Sequence, residues 1–220
     1  SICLLYQKER MISMHEPITV RWLGHACFKV EKGAYSVVLD PYAPGSVPGL
    51  PDIRTDANLV LCSHGHSDHG CAEAVTLRPA QDCPFSVTKI ETFHDACGGA
   101  QRGPNTIHVL EADGVRIAHF GDLGCALTDA QANALQGVDV ALIPVGGFYT
   151  IDAAQAKAAA DRIGAKVVVP MHYRTARFGL EPIATLDEFL RLCADPVLLD
   201  RDTFTVGEVR RGVVVPAGPV

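Results

Sequence analysis

Four side chains that can bind a metal ion stand within six consecutive positions of this 220-residue chain. They are His64, His66, Asp68 and His69, in the segment His-Gly-His-Ser-Asp-His. Imidazole and carboxylate groups are the ligands that a borderline divalent ion such as Zn²⁺ prefers. A solvent-exposed turn has no need for four such side chains at this spacing. The segment therefore predicts a metal site rather than a polar surface loop.

The residues before this segment indicate how it is positioned. Residues 58–62 form a short apolar run, as expected of a buried strand, and the two glycines of the segment allow a tight turn after it. Catalytic groups commonly lie in a loop that leaves the end of a buried strand. His64 and His66 flank a glycine and can reach one ion. Asp68 and His69 lie further round the turn and can serve a second ion.

The pattern His-x-His-x-Asp-His resembles the signature of the metallo-β-lactamase superfamily. Further acidic and histidine residues match that family's order, and each follows a strand-like run. The resemblance implies that His94 is the third histidine ligand and that His172 is the last one. It implies that Asp122 is the aspartate that bridges two metals, and that Asp40 is a carboxylate that orients a ligand from outside the coordination sphere.

Two further segments resemble one branch of that superfamily, which contains the ascorbate-6-phosphate lactonase and many uncharacterised hydrolases. They are residues 22–28, Trp-Leu-Gly-His-Ala-Cys-Phe, and residues 170–173, Pro-Met-His-Tyr. In that branch the histidine of the Gly-His dipeptide lies near the site. His25 is therefore expected either to orient a ligand or to touch the substrate.

The remaining histidines receive other interpretations. His108 is a rival to His94 as third ligand, although His94 is favoured because it ends a strand-like run before two glycines. Otherwise His108 and His119 are interpreted as packed or solvent-facing residues of strands. His15 is interpreted as an inert residue of the N-terminal arm.

The resemblance implies a dinuclear centre with two ligand sets bridged by Asp122. The first set is His64, His66 and His94, and the second is Asp68, His69 and His172. The two divalent ions are expected to be Zn²⁺, with Mn²⁺ or Fe²⁺ as alternatives. They would lower the pKa of a shared water towards about 7, and the metal-bridging hydroxide would attack a small ester, lactone or phosphodiester. Asp68 would also accept or relay a proton.

Four residues near these positions are candidates for binding the substrate. Tyr149, Tyr173 and Arg174 lie just beyond strand ends or ligands. Cys125 comes three residues after Asp122 and is expected to line the pocket, since both ligand sets are complete without it.

The elements that must position these residues alternate along the chain. Helices are predicted after three capping boxes, Thr128 with Gln131, Asp152 with Gln155, and Thr185 with Glu188. A proline-rich loop, 41–51, is expected to be mobile beside the site. The predicted strands are 18–23, 26–31, 35–39, 58–62, 87–93, 105–110, 115–120, 138–143, 166–170 and a terminal pair of 204–206 with 212–215. This order fits an α+β fold, the four-layer αββα sandwich of the resembling family.

Composition is that of a compact enzyme. Hydrophobic residues make up 48% and charged residues 20%, and the net charge of −6 disfavours an overall nucleic-acid-binding surface. No apolar run is long enough for a membrane span. The eight cysteines contain no Cys-x-x-Cys, so free thiols in a cytoplasmic protein are expected. We expect one domain over 1–220, with 1–14 an extension, a small-molecule substrate, and either a monomer or a homo-oligomer.

Three alternatives stay open at this point. A nuclease or phosphodiesterase acting on nucleic acid is weakened by the acidic balance and by the lack of an RNA-clamping insertion. A di-iron redox protein of the same fold usually carries more acidic ligands and a partner flavin domain, and neither is visible in the sequence. A metal-binding module without catalysis is disfavoured because every ligand position is filled.

Overall fold

The computed structural model describes residues 16–219. The predicted extension 1–14, with Cys3, and His15 lie outside these residues. Within them no helix is long and apolar enough to cross a membrane. The seven described cysteines are all free, which confirms the prediction of free thiols for them. The elements in chain order are β1 (Ile18–Gly24), β2 (Cys27–Lys32), β3 (Tyr35–Leu39), β4 (Thr55–Ala57), β5 (Leu59–Leu61), a 3₁₀ turn (Ala72–Ala74), β6 (Val75–Leu77), β7 (Ser86–Phe93), β8 (Pro104–Ala112), β9 (Val115–His119), α1 (Asp129–Ala134), β10 (Val140–Pro144), α2 (Ala153–Ile163), β11 (Val167–Met171), α3 (Leu186–Leu190), β12 (Val197–Leu198), β13 (Thr203–Thr205) and β14 (Gly212–Val215).

Two sheets packed face to face form the centre of the fold. One has the strand order β13-β1-β2-β3-β5, the other β12-β14-β11-β10-β9-β8-β7, and β4 pairs only with β6. Successive side chains of a strand point to opposite faces, so one face of each sheet can enter a shared core. Val20 and Trp22 of β1 lie in the same buried cluster as Ile117 of β9 and Leu142 of β10. The predicted α+β class with two stacked sheets is confirmed.

Helix α2 packs against β10 of the larger sheet. Its buried residues recur every three to four positions, Ala153, Ala156, Ala160 and Ile163. Small alanine side chains let the helix approach the sheet closely. The Asp152 capping box starts the helix and Gly164, with a φ of 61°, ends it, both as predicted.

The other two capping boxes have different outcomes. The Thr128 box at the start of α1 is present, with both reciprocal hydrogen bonds. The Thr185 box is wrong: α3 begins there, but the Thr185 side chain accepts no capping hydrogen bond. Thr185 instead forms an isolated bridge to Arg174. A tertiary contact thus holds this N-terminus where a local motif was expected.

Within residues 16–219, a loop and a pair of short strands, rather than a helix, cover the outer face of the smaller sheet. Val38 and Cys27 point away from the shared core and pack against Tyr42, Val47 and Val75. The cover there is therefore the proline-rich loop together with the β4–β6 pair. The loop is anchored where the Tyr42 hydroxyl donates to the carbonyl oxygens of Leu23 (3.0 Å) and Pro51 (2.9 Å). The predicted mobility of 41–51 stays a prediction.

The predicted terminal pair of strands is wrong. β13 forms close to the predicted segment 204–206 but pairs with β1 in the smaller sheet. β14 forms at 212–215 and pairs in parallel with β11 and β12 in the larger sheet. Both segments are short enough for tertiary packing to select their partners. The short strands β4, β6 and β12 were not predicted, for the same reason.

Strand directions bring many chain segments to one edge of the sandwich. β3 runs parallel to β5, and β9, β10 and β11 run parallel to one another. β1 and β3 both pair antiparallel with β2, and β7 and β9 both pair antiparallel with β8. The carboxyl ends of β1 and β3 therefore point the same way, and so do those of β7 and β9. Residues that follow these ends can meet over the sheets.

Candidate metal centre

Every residue predicted from the sequence to bind a metal, and the two predicted to support the site from outside, His25 and Asp40, lie just beyond such a carboxyl end. His25 follows β1, Asp40 follows β3, residues 63–69 follow β5, His94 follows β7, Asp122 follows β9 and His172 follows β11. Hydrogen-bonded pairing within the two sheets holds the ends of these strands in place, so the residues that follow them have defined positions.

Several of these residues adopt a strained backbone conformation. His25, Asp40 and His172 have φ values of 52°, 47° and 54°, in the left-handed region that side chains other than glycine rarely enter. Such strain costs about 1–3 kcal/mol per residue and clusters at functional sites. Gly121 also has a positive φ of 55°, and a Cβ there would lie 2.4 Å from Asn105 Oδ1. The turn before Asp122 therefore needs glycine.

The potential ligand atoms form three groups, each with its members within 4.8 Å of one another. One of them, Asp40 with His64 and His69, takes a histidine from each of the other two groups, which are the two ligand groups considered below. The first group is His64, His66 and His94, as the sequence predicts. The second group is His25, Asp68, His69 and His172. It matches the predicted second set with one addition, His25.

Asp122 lies between the two groups and presents one carboxylate oxygen to each. Its Oδ2 is 3.0 Å from His94 Nε2 and 3.7 Å from His64 Nε2. Its Oδ1 is 3.0 Å from His69 Nε2 and 3.4 Å from His172 Nε2. This is the position that a carboxylate shared by two ions would occupy.

Buried atoms without hydrogen-bond partners test whether metal ions fit here. Nε2 of His64, His69 and His172 and Oδ1 of Asp122 are buried and make no hydrogen bond within the described chain. An unpaired buried polar atom is costly, and nearly all such atoms in native proteins have a partner. Divalent ions between these nitrogens and oxygens would satisfy all of them. The donor set therefore fits two such ions.

Asp40 connects the two groups through the Nδ1 side of their imidazole rings, the side away from Asp122. His69 Nδ1 is 2.7 Å from Asp40 Oδ2. Ser63 donates its backbone N–H to Asp40 Oδ1 (2.6 Å) and its hydroxyl to Asp40 Oδ2 (2.5 Å), and Ser63 Oγ is 2.9 Å from His64 Nδ1. Although burial opposes ionisation, His119, His69 and Ser63 lower the pKa of Asp40. As an ionised acceptor, Asp40 holds a proton of His69 on Nδ1 and so turns the other ring nitrogen, Nε2, towards Asp122.

His25 contacts the second group through Asp68. Its Nε2 lies 3.3 Å from Asp68 Oδ2. Burial works to raise the pKa of Asp68, but hydrogen bonds from His25 and His69 hold it well below its usual range. Burial lowers the pKa of His25 to about 4, and the neighbouring His172 adds to this effect. A neutral His25 thus donates to an ionised Asp68 and fixes its direction.

Asn105 also positions the site, and the sequence alone did not single it out. It is fully buried, accepts from the Asp122 N–H at 2.9 Å, and donates to Thr92 Oγ1 and the Phe120 carbonyl. An asparagine near the start of an alternating strand carries no local signal of this role. Only the pairing of β8 with its neighbours brings it under the Asp122 turn.

His119 has a structural rather than a ligand role, as predicted. It is buried, its Nε2 lies 2.7 Å from the Ala26 carbonyl oxygen, and its Nδ1 accepts the Gly121 N–H at 3.1 Å. It therefore ties the turn before Asp122 to the backbone next to His25. His108 is buried in β8 and belongs to neither ligand group.

A cavity of about 440 Å³ opens over the two groups. Tyr149 lines it, as predicted, together with Arg102, which the sequence analysis did not identify. The other lining residues are Ser46, His66, Ser67, Asp68, His94, Asp122 and Leu180.

The other three substrate candidates lie elsewhere. Tyr173 is buried against Trp22 and Phe178, and Arg174 donates from Nε to the Ile183 carbonyl oxygen at 2.8 Å. Cys125 lines a separate apolar groove beside α2. None of the three lines the cavity over the ligand groups, which does not support the substrate-binding role predicted for Tyr173 and Arg174 or the pocket-lining role predicted for Cys125. Their proximity in sequence to a ligand did not reveal the direction of their side chains.

Comparison with known proteins agrees with the fold and the site. Residues 19–172 match the family model of the beta-lactamase superfamily domain. A UPF0173 metal-dependent hydrolase of Methanoregula boonei is 36% identical over 187 residues, 70% of this chain and 81% of that protein. Another, from Methanoculleus marisnigri, is 33% identical over 186 residues, 70% of this chain and 80% of that protein.

A solved structure is similar over nearly the whole chain. It is a Thermotoga maritima protein assigned as a Zn-dependent hydrolase of the metallo-β-lactamase superfamily. The TM-score is 0.71 and the identity 32%, covering 91% of this chain and 99% of that one. The matched family model spans both ligand groups, from His25 to His172. The chain therefore belongs to the metallo-β-lactamase superfamily, and within it to the UPF0173 metal-dependent hydrolases.

Proposed function

We propose that this protein hydrolyses a small ester, lactone or phosphodiester at a centre of two divalent ions, Zn²⁺ in the first instance. The observation that carries the proposal is the division of the Asp122 carboxylate between two ligand groups. One ion alone would leave one of these groups without a partner.

The residues that would hold the ions follow from the two groups. His64, His66 and His94 would hold the first ion, and Asp68, His69 and His172 the second, with Asp122 shared. Such ions lower the pKa of a water and stabilise the negative charge that develops during hydrolysis.

Asp68 has the position of a proton acceptor. It lines the cavity, unlike Asp40, and its side chain retains 16% exposure. The hydrogen bond from His25 keeps the carboxylate ionised and fixes its direction. Asp68 can therefore take a proton from an attacking water or pass one to a leaving group.

The size of the cavity supports a small substrate. A volume of about 440 Å³ lies within the range of small-molecule sites. The net charge of −6 disfavours a long nucleic acid, which needs a positively charged track along its backbone.

A metal titration tests the dinuclear centre. Chelator-stripped protein should bind two equivalents of Zn²⁺ or Mn²⁺. Asp122→Asn should lower the affinity for both equivalents. Asp187→Asn, an exposed carboxylate of α3, is the matched control and should bind two equivalents with unchanged affinity. A stoichiometry of one in the unsubstituted protein would refute the dinuclear proposal.

Turnover tests the reaction class. The metal-loaded protein should hydrolyse at least one member of a panel of lactones, esters, thioesters and phosphodiesters. Asp68→Asn should reduce that rate by about 10²-fold or more at full metal content, the usual scale for a lost acid–base group. Cleavage of RNA alone would favour the nuclease, and purification with iron without any hydrolysis would favour the redox protein.

A further inference from the structure

We propose that Arg102 and Tyr149 form an anion-binding subsite in the metal cavity. The substrate would then carry a carboxylate or phosphoryl group beside the bond that is cleaved. This inference rests on the proposed function, because it places the anion next to the hydrolytic centre.

Among residues 16–219, nothing gives the guanidinium of Arg102 a polar partner. Four arginines in residues 16–219 are half-buried. Arg78 pairs with an aspartate, and Arg116 and Arg174 donate to backbone carbonyl oxygens. Arg102 makes no side-chain hydrogen bond or ion pair with any described residue, yet it lines the cavity. A half-buried guanidinium has five donors to satisfy, and a carboxylate or phosphate accepts two of them at once.

The loop that carries Arg102 is rigidly built. The buried Asp95 carboxylate accepts four backbone N–H groups, including that of Arg102 at 2.7 Å. The loop also closes next to a ligand, because the His94 N–H donates to the Gly103 carbonyl oxygen at 3.0 Å. Arg102 is therefore held at a fixed place relative to His94. All these contacts use its main chain, so its side chain is free for another role.

Tyr149 completes the subsite from the loop that follows β10, at the same edge of the sandwich. Its ring centroid lies 5.6 Å from the guanidinium carbon of Arg102, within the range of a cation–π contact. Its hydroxyl has no hydrogen-bond partner among residues 16–219. The preceding Phe148 has a strained φ of 59°, which marks this turn as a place where geometry is imposed. The ring supports the cation, and the hydroxyl can donate to the same anion.

The charge of the cavity favours an anion as well. Of the described part of the chain, Arg102 is the one cationic side chain that lines the cavity, beside two carboxylates, Asp68 and Asp122. Two divalent ions would exceed the charge of these carboxylates, and Arg102 would add to the excess. A neutral ester would leave this positive charge unpaired. An anionic substrate would pair with it, although the protein as a whole is acidic.

A pair of matched esters tests the subsite. The metal-loaded protein, Arg102→Ala and Tyr149→Phe are compared on 4-nitrophenyl butyrate and on the mono-4-nitrophenyl ester of succinic acid, which adds a carboxylate. Arg102→Ala should reduce kcat/KM for the succinyl ester about 10- to 100-fold more than kcat/KM for the butyrate ester. Tyr149→Phe should reduce kcat/KM for the succinyl ester by a smaller factor than Arg102→Ala. Arg54→Ala, an exposed arginine outside the cavity, is the control.

Binding without turnover forms the second measurement. Inorganic phosphate and succinate are titrated calorimetrically into the metal-loaded protein and into metal-loaded Arg102→Ala of equal metal content. Loss of affinity of about tenfold or more for one of them supports the subsite and identifies the phosphoryl or the carboxylate group as its ligand. If Arg102→Ala affects both esters equally, or binds both anions as well as the unsubstituted protein, the subsite is refuted. If the protein cleaves neither ester but anion binding depends on Arg102, the proposed hydrolysis fails in this assay while the subsite stands.

Discussion

Asp40 links one ligand of each proposed ion. It accepts directly from His69 of the second group, and it reaches His64 of the first group through the Ser63 hydroxyl. Burial lowers the pKa of His64 to about 4, and the nearby His69 adds to this, so His64 is neutral at pH 7 and its Nε2 lone pair is available. A carboxylate behind a metal-bound imidazole fixes the ring and increases its basicity. Asp40 therefore supports both sites at once.

Two substitutions separate these contacts. Asp40→Asn should weaken Zn²⁺ binding at both sites, by about 10- to 100-fold each, because His69 loses its carboxylate acceptor and the Ser63 hydroxyl that orients His64 loses its own. Ser63→Ala should weaken mainly the first site, since His69 keeps its contact with Asp40. Stepwise titration with a competing chelator measures the two affinities. Equal weakening of both sites by Ser63→Ala would contradict this division.

At the level of elements, the sequence predicted the site better than the connections between strands. The positions from Asp40 to His172 were predicted from the resemblance to the metallo-β-lactamase superfamily, and each follows a strand-like run. In the structure, strand pairing brings the ends of these runs together. The partners of β13 and β14 could not, because short apolar segments fit either sheet.

Arg102 and Asn105 were not predicted as residues of the site, for a different reason. Their roles arise from contacts with residues distant in sequence, Tyr149 for Arg102 and Asp122 for Asn105. Neither residue has a spacing or a motif that marks it. Cys125 shows the converse error, since its short distance in sequence from Asp122 suggested a contact that the turn directs elsewhere.

The two helix starts with the same motif allow a matched comparison. Asp152 accepts the Gln155 N–H at 2.8 Å, whereas Thr185 makes no such hydrogen bond. Asp152→Ala should therefore lower the free energy of unfolding by about 1 kcal/mol, the usual cost of a lost N-cap. Thr185→Ala should lower the free energy of unfolding by less than Asp152→Ala. Urea denaturation measures both, and an equal loss would show that the capping bond is not the cause.

For the whole molecule, buried histidines should make stability depend on pH. Burial lowers the pKa of His108 to about 4, and the nearby His119 adds to this. In the unfolded chain the pKa returns to about 6.5. Between these pH values the unfolded state binds a proton that the folded state does not. The contribution of His108 to the free energy of unfolding therefore falls as pH decreases from about 6.5 to about 4.

The size of this effect is measurable. The loss due to His108 between pH 7 and pH 5 should be about 1–2 kcal/mol. Urea denaturation of metal-free protein and of His108→Gln at both pH values gives the difference. The substituted protein should show a smaller decrease than the parent chain. An identical decrease in both would assign the pH dependence to other groups.

The last prediction concerns metal ions and the stability of the whole fold. Asp40, Asp122, His69 and His172 are buried together at one edge of the sandwich, at a site with unpaired ligand atoms. Groups that bind ions only in the folded state stabilise that state by mass action, by about 2.7 kcal/mol at one hundred times the dissociation constant. Zn²⁺ at that excess should therefore raise the Tm of chelator-stripped protein by several degrees, and the shift should grow with Zn²⁺ concentration. His94→Ala should reduce the shift, whereas His108→Gln, a buried histidine outside both groups, should retain it. Differential scanning calorimetry measures these shifts. A Tm independent of Zn²⁺ would mean that the histidine and aspartate groups do not couple metal binding to folding.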